Sequence, residues 1–160
     1  MAKNSPKEPS DRKIICRNRR AFRDYEITDR IEAGLVLQGS EVKSLRDGRA
    51  SLGEGAYAEI RAGEIFLVGC RIAEYPWANQ FNHEPLRPRK LLLKRAEIRK
   101  LSVKLLERGF TLIPLQLYFK KSLAKVELGL ARGKRQYDKR AAVRERDQDR
   151  DLDIEAGRRR

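Results

Sequence analysis

Lysine and arginine residues gather around aromatic side chains at several places in this sequence. The densest group follows the last apolar alternation, where cations surround one tyrosine: Arg132, Lys134, Arg135, Tyr137, Lys139 and Arg140. Three further groups are Arg17, Arg19, Arg20, Phe22 and Arg23; Arg87, Arg89, Lys90 and Lys94; and Tyr118, Lys120, Lys121 and Lys125. Cations bind phosphates, and exposed aromatic rings stack on bases. The combination predicts a surface that binds RNA or single-stranded nucleic acid.

The overall charge favours the same kind of partner. The 160 residues include 37 Lys and Arg against 23 Asp and Glu, a formal net charge of +14, which is typical of proteins that bind nucleic acid or an anionic membrane. No apolar run approaches the ~20 residues that cross a bilayer, and residues 1–13 lack the apolar core of an export signal. We therefore expect a cytoplasmic protein without a membrane partner, in which Cys16 and Cys70 are free thiols.

Residues that could support catalysis or hold a metal are sparse. Residues 129–134 are one residue short of a phosphate-binding GxxxxGK loop, and Arg135 stands where that motif has a hydroxyl. His83 is the only histidine, and no nucleophile or second metal ligand is spaced with it. We interpret His83 as a hydrogen-bonding residue that fixes the turn at Asn79 and Asn82. We expect no catalytic residue, no metal and no cofactor.

Glu32 is the carboxylate with the most informative position. It follows Glu26, Thr28 and Arg30 on the outward side of a predicted strand. A carboxylate repels phosphate but accepts hydrogen bonds from the amino group of cytosine or guanine. A salt bridge with Arg30 or Arg19 is the simpler explanation, so both interpretations stay open.

The elements that must position these residues are mainly strands. Period-two alternation predicts strands at 25–37, 56–61, 65–72, 110–119 and 123–130. Short helices are expected at 39–48 and 95–108, with a long loop over 73–90 between them. Short strands with Gly-rich turns favour a mainly β fold, a small antiparallel OB-type barrel with about three short helices, over a layered α/β fold.

The chain is long enough for one domain with a core. Residues 1–13 are rich in polar residues and are expected to be disordered, and residues 14–131 are expected to form the barrel. Residues 132–160 are predicted to be a flexible basic tail, which begins at a joint formed by Arg132 and Gly133 and orders on its partner.

Five runs of the sequence resemble, in order, a single family. They are residues 18–27, 32–46, 81–93, 117–120 and 133–140. The similarity extends from about residue 14 to about residue 146 in one register. On these motifs the chain resembles the SsrA-binding protein (small protein B) family, the partner of transfer-messenger RNA in bacterial trans-translation.

The resemblance implies a monomeric adaptor that is not an enzyme. It implies binding to the tRNA-like domain of transfer-messenger RNA, in place of a missing anticodon arm, and entry into the A site of a stalled ribosome. The tail would order in the mRNA channel at the decoding centre of the small subunit. The implied RNA contacts are Asn18, Arg19, Glu32, Arg89, Lys90, Leu92 and Lys125. The implied ribosome-engaging residues are Gly133, Lys134, Arg135, Asp138, Lys139 and Arg140.

The tail departs from the family pattern after Arg146. Residues 147–155 are rich in Asp and lack the aromatic residue that family tails often carry there. Ribosomal RNA repels clustered carboxylates at close range. The resemblance therefore predicts channel seating for the tail only as far as Arg146.

Two other classes of function compete with this adaptor. A generic single-strand-binding OB module requires stacking aromatics along the outward side of the first long strand, which carries charges instead. An RNA-processing hydrolase requires paired carboxylates or a metal cluster near the basic surface. Neither pattern is present in the sequence.

Overall fold

The described residues form seven antiparallel strands, the five predicted from alternation and two that were not predicted, the first and the fifth along the chain. The computed structural model describes residues 11–107, 109–134, 144, 146–148 and 150. The strands are β1 Arg12–Arg17, β2 Tyr25–Leu35, β3 Ala50–Arg61, β4 Glu64–Ile72, β5 Arg89–Leu92, β6 Phe110–Lys120 and β7 Leu123–Gly133. Their order is β1-β6-β3-β4-β5-β2-β7, and an added β6–β7 pairing closes the ring. This confirms the predicted fold class, a mainly β antiparallel barrel of OB type.

Three short helices connect these strands within the described residues: α1 Ala21–Asp24, α2 Gly39–Arg46 and α3 Arg95–Leu106. A 3-10 turn covers Asn79–Phe81 in the long loop. In α2 the carboxylate of Glu41 accepts the backbone N–H of Gln38 at 2.8 Å, which satisfies one of the unpaired donors at the start of the helix. In α3 the predicted apolar stripe is confirmed, because Leu101 is buried and Ile98 and Leu105 pack against the core.

The core is filled by alternate residues of the strands, as a sheet with one buried face requires. In β4 the fully buried residues are first Ile65 and Leu67 and then Cys70 and Ile72. The alternation therefore shifts by one residue between Leu67 and Cys70. The shift coincides with a register change between β3 and β4 and with Gly69, whose φ is +79°. A Cβ at Gly69 would lie 3.0 Å from the Cα of Ala56. This bulge keeps both halves of β4 facing inward.

The barrel extends past both predicted boundaries. Strand β1 begins at Arg12 instead of residue 14, and β7 continues to Gly133 instead of ending at 131. The predicted flexible joint at Arg132 and Gly133 is therefore wrong for those two residues, because Gly133 pairs with Tyr25 of β2 and Arg132 pairs with Phe110 of β6. Predictions for residues 1–10 and for most of the tail concern positions outside the described residues.

Both cysteines are free, as predicted, and Cys70 is fully buried in β4. Burial raises the pKa of the Cys16 thiol to about 11 and that of Cys70 to about 12. None of the helices in the described part of the chain is long and apolar enough to cross a membrane.

We expect the native protein to resist alkylation by iodoacetamide at pH 8, because the thiolate is the reactive form and burial disfavours it. Mass spectrometry after a timed reaction should show unmodified native protein and two adducts on protein unfolded in guanidinium. Adducts that form on the native chain as fast as on the unfolded chain would contradict the burial of these thiols.

Candidate nucleic-acid interface

One outward side of the sheet collects polar residues from four neighbouring strands. Directly opposed residues of antiparallel strands share a side of the sheet. Tyr118 of β6 lies opposite Lys125 of β7, and Glu127 of β7 lies opposite Glu32 of β2. Their sequence neighbours point into the core. We call this set the polar face; its members are Arg12, Arg30, Glu32, Gln116, Tyr118, Lys120, Lys125 and Glu127.

Glu32 is held at the centre of the polar face by three donors. Its Oε2 accepts a short hydrogen bond from the Tyr118 hydroxyl. The same oxygen lies 3.3 Å from Nη2 of Arg12, and Oε1 lies 3.5 Å from Nζ of Lys120. The salt-bridge interpretation named Arg30 or Arg19 as partner. The structure gives Arg12 and Lys120 instead, since Arg30 pairs with Glu127 at 3.7 Å.

The charge states of Glu32 and Tyr118 follow from the contacts between them and the neighbouring cations. Burial would raise the pKa of Glu32, but the Tyr118 hydrogen bond and the charges of Lys120 and Arg12 outweigh burial and lower it. Burial and the hydrogen bond to Glu32 together raise the pKa of Tyr118 far above its ordinary value. At neutral pH Tyr118 is therefore a donor and Glu32 an ionised acceptor.

Tyr118 cannot serve as a base-stacking residue. Its side chain is fully buried, and the Arg12 guanidinium lies 4.5 Å from the centre of its ring. The sequence-based expectation that this ring stacks on a base was therefore wrong. Phe22 is 38 % exposed, while Tyr137 lies outside the described residues.

The four residues of β5 alternate between the inside and the outside of the barrel. Leu92 and Lys90 point outward, whereas Arg89 and Leu91 point inward. Leu92 is 55 % exposed and pairs with Gly34 of β2, and Lys125 of β7 pairs with the same Gly34. Three of the predicted RNA contacts, Glu32, Leu92 and Lys125, are thus brought together around one end of β2.

Arg89 does not belong to the interface. Its side chain is fully buried. Nε donates to Oε1 of Glu41 at 2.8 Å, Nη1 to the carbonyl of Cys70 at 2.7 Å, and Nη2 to the carbonyl of Pro85 at 3.0 Å. The prediction of a phosphate contact at this position is wrong, because the alternation of β5 turns Arg89 into the protein. Lys90, its neighbour, is exposed and pairs with Glu64 at 2.7 Å.

Asn18 is a structural residue of the turn between β1 and α1. Its Oδ1 accepts the backbone N–H of Ala21 at 3.2 Å, and its Nδ2 donates to the carbonyl of Pro114 at 3.1 Å. The side chain is buried, while the following Arg19 is exposed. Asn18 therefore shapes the turn that presents Arg19, and it lies apart from the Glu32 cluster.

The described part of the predicted ribosome-engaging segment ends at a fixed point. Gly133 is the last residue of β7, and the backbone N–H of Lys134 donates to the carbonyl of Asp24 at 3.0 Å. Nζ of Lys134 lies 3.2 Å from the carbonyl of Phe22. The other predicted residues of this segment lie outside the described residues: Arg135, Asp138, Lys139 and Arg140.

His83 connects the long loop to α2 and to the end of β4 by hydrogen bonds. Its Nδ1 lies 2.9 Å from the hydroxyl of Ser40 in α2, and its Nε2 lies 2.9 Å from the carbonyl of Ile72. Its backbone N–H donates to Oδ1 of Asn82 at 3.2 Å, as expected for a hydrogen-bonding loop residue. Among the residues that the structure describes, no three His, Cys, Asp or Glu side chains are grouped to hold a metal ion.

A small closed barrel with a cationic outer face is typical of nucleic-acid-binding proteins of the OB class. This chain belongs to the SmpB family, because the family model described as "SmpB protein" matches residues 15–158. The resemblance of the five runs is thereby confirmed.

The chain is similar to SsrA-binding proteins over almost its whole length. The relative from Syntrophobacter fumaroxidans is 51 % identical over 153 residues, which cover 96 % of this chain and 94 % of the relative. The relative from Geobacter sulfurreducens is 54 % identical over 140 residues, which cover 88 % and 91 %. A chain solved under the description "tmRNA-SmpB: a journey to the center of the bacterial ribosome" is 47 % identical, with a TM-score of 0.64, and covers 81 % of this chain and 94 % of that one.

Proposed function

We propose that this protein binds the tRNA-like domain of transfer-messenger RNA and delivers it to the A site of stalled ribosomes in trans-translation. The observation that carries the proposal is the similarity, over most of both chains, to the SmpB chain solved as part of tmRNA–SmpB in the ribosome. The protein acts in the cytoplasm, as a monomer and as an adaptor that is not an enzyme.

The polar face is the proposed RNA-binding surface. Glu32 and Lys125 of this face form the contact cluster together with the adjoining Leu92 of β5, since the three residues meet around one end of β2 and the side chains of Leu92 and Lys125 lie on the outside of the barrel. Lys90, on the same side of β5 as Leu92, and Arg19, exposed beside α1, supply phosphate contacts. Asn18 contributes by shaping the turn before α1.

The chain after β7 is the proposed ribosome-engaging part. It follows Gly133, the last residue of β7, and starts with Lys134, whose position is fixed by the carbonyls of Asp24 and Phe22. Arg135 and the run Asp138, Lys139 and Arg140 continue it toward the decoding centre, and the segment after Lys134 orders on the ribosome.

A binding experiment tests the first step. The purified protein should bind the tRNA-like domain far more tightly than an unstructured RNA of equal length at ~150 mM salt. The affinity should fall by about a thousandfold between about 50 and about 200 mM salt if roughly six phosphates are neutralised. Equal affinity for the two RNAs would refute the proposal and favour a generic single-strand-binding module.

The structure already weighs against that generic module. Single-strand-binding barrels stack successive bases on exposed aromatic rings. On the polar face the one aromatic member, Tyr118, is buried beneath Arg12.

A further inference from the structure

We infer that Tyr118 is a positioning residue for RNA recognition: it fixes the Glu32 carboxylate so that one oxygen is held by the protein and the other is presented to the RNA. The inference rests on the proposed function and deepens it. It concerns a residue that is fully buried and therefore acts only through Glu32.

The two oxygens of Glu32 have different surroundings. Oε2 accepts from both the Tyr118 hydroxyl and Arg12, and a carboxylate oxygen has about two acceptor positions. Within the described part of the chain, the only hydrogen bond to Oε1 comes from Lys120 at 3.5 Å, the long limit of such a contact. Oε1 therefore keeps acceptor capacity, and the Glu32 side chain is 29 % exposed.

Tyr118 also organises the cations around the Glu32 carboxylate. Its ring supports the Arg12 guanidinium at 4.5 Å, and its backbone lies opposite Lys125. Lys120 follows two residues later on the same side of β6. Two cations, Arg12 and Lys120, thus contact a single oriented carboxylate, and a third, Lys125, lies on the adjacent strand. This arrangement suits a nucleotide whose phosphates are attracted while one of its donors meets Oε1.

The presented oxygen requires a hydrogen-bond donor of the RNA. Suitable donors are the exocyclic amino group of guanine or cytosine and the ribose 2′-hydroxyl. A phosphate cannot take this place, because two anions repel each other.

The test compares Tyr118→Phe with Glu32→Gln in the full-length protein, using the tRNA-like domain as the probe. Tyr118→Phe keeps the buried ring and removes only the donor. We expect it to weaken binding by about three- to tenfold, less than the loss of a direct hydrogen bond to a charged group, because Arg12 and Lys120 still hold the carboxylate and only its orientation is relaxed. The double variant should bind no more weakly than Glu32→Gln alone, because both changes break one unit. Tyr57→Phe in β3, where the ring is 39 % exposed, is the matched control and should bind like the wild type.

The outcomes distinguish the positioning role of Tyr118 from the proposed adaptor function. Losses that add in the double variant, or wild-type affinity in Tyr118→Phe, would overturn the positioning role while the adaptor function stands. A wild-type protein without preference for the tRNA-like domain would overturn both. Probes with single 2′-deoxy or inosine substitutions identify the donor: the substitution that removes it should weaken the wild type but not Glu32→Gln.

Discussion

Replacing Arg89 by Ala is expected to lower the free energy of unfolding by about 3 to 5 kcal/mol, the usual cost of breaking a buried ion pair from one side. Both Arg89 and Glu41 are fully buried. The substitution removes the 2.8 Å contact to Glu41 and the guanidinium donors to the carbonyls of Cys70 and Pro85, of which the Pro85 carbonyl still accepts the backbone N–H of Ile72. Arg87 still reaches Glu41 at 2.8 Å, but from a position that is partly exposed.

The measurement is urea denaturation with a check that the slope is unchanged. Lys90→Ala is the matched control, one residue away in β5. Its pair with Glu64 is exposed, so its removal should cost less than about 1 kcal/mol. Combining Arg89→Met with Glu41→Leu should restore much of the loss, because no buried charge of the pair remains and Arg87, which also loses Glu41, is partly exposed to solvent. Similar stabilities for Arg89→Ala and Lys90→Ala would contradict the ion pair's role.

The stability that Arg89→Ala loses should depend on pH in a definite direction. Burial would raise the pKa of Glu41, but hydrogen bonds from Arg87 and from the Gln38 backbone, together with Arg89, lower it below 4.5. A carboxylate whose pKa is lowered by folding stabilises the fold at pH values above its pKa in the unfolded chain. This contribution disappears as the pH falls through its pKa in the folded protein. The difference between wild type and Arg89→Ala should therefore be full above pH 4.5 and should shrink in acid.

Alternating hydrophobicity accounts for the parts of the fold that the sequence predicted, namely the positions of β2, β6 and β7. Burial itself does not alternate strictly along β6 and β7, because Ile113, Leu115 and Ala131 pack with Ala21 in a second apolar cluster on the other side of the sheet. Strand β1 was not predicted, because its apolar content is small and arginines stand at both of its ends. Arg89 was misplaced for a related reason. Four cations in a row of eight residues suggest a surface, and its buried partner Glu41 lies 48 positions away in the chain.

The composition of the polar face was only partly predictable. Glu32, Leu92 and Lys125 were named from the family motifs, and the register of β2 with β5 and β7 shows that they lie at one place. The donor that holds Glu32 was missed. Tyr118 is 86 positions away, and only the pairing of β6 with β7 and of β7 with β2 carries it to the same face. Sequence distance gives no signal for such a contact.

Replacing Asp138, Lys139 and Arg140 together by Ala is expected to leave RNA affinity within about twofold of the wild type, because the proposed RNA contacts all belong to the barrel and precede Lys134 in the chain. Peptide tagging on stalled ribosomes should fall by about tenfold or more, since losing only about 1.4 kcal/mol of binding energy already reduces occupancy tenfold. The measurements are binding to the tRNA-like domain and a reconstituted tagging assay with the same preparation.

The length of β7 separates the proposed RNA contacts from the proposed ribosome-engaging segment. Lys125 stands near its start, beside Glu32 and Leu92, and Gly133 is its last residue. At ~3.3 Å per residue the two positions are about 26 Å apart, and contacts from Lys134 fix the exit of the chain at α1. A matched triple change, Asp149, Asp151 and Asp153 to Ala, removes acidic charge from the same tail and should not reduce tagging, because ribosomal RNA repels these carboxylates. A large loss of RNA affinity on changing residues 138–140 would instead place them in the first binding step, at the barrel.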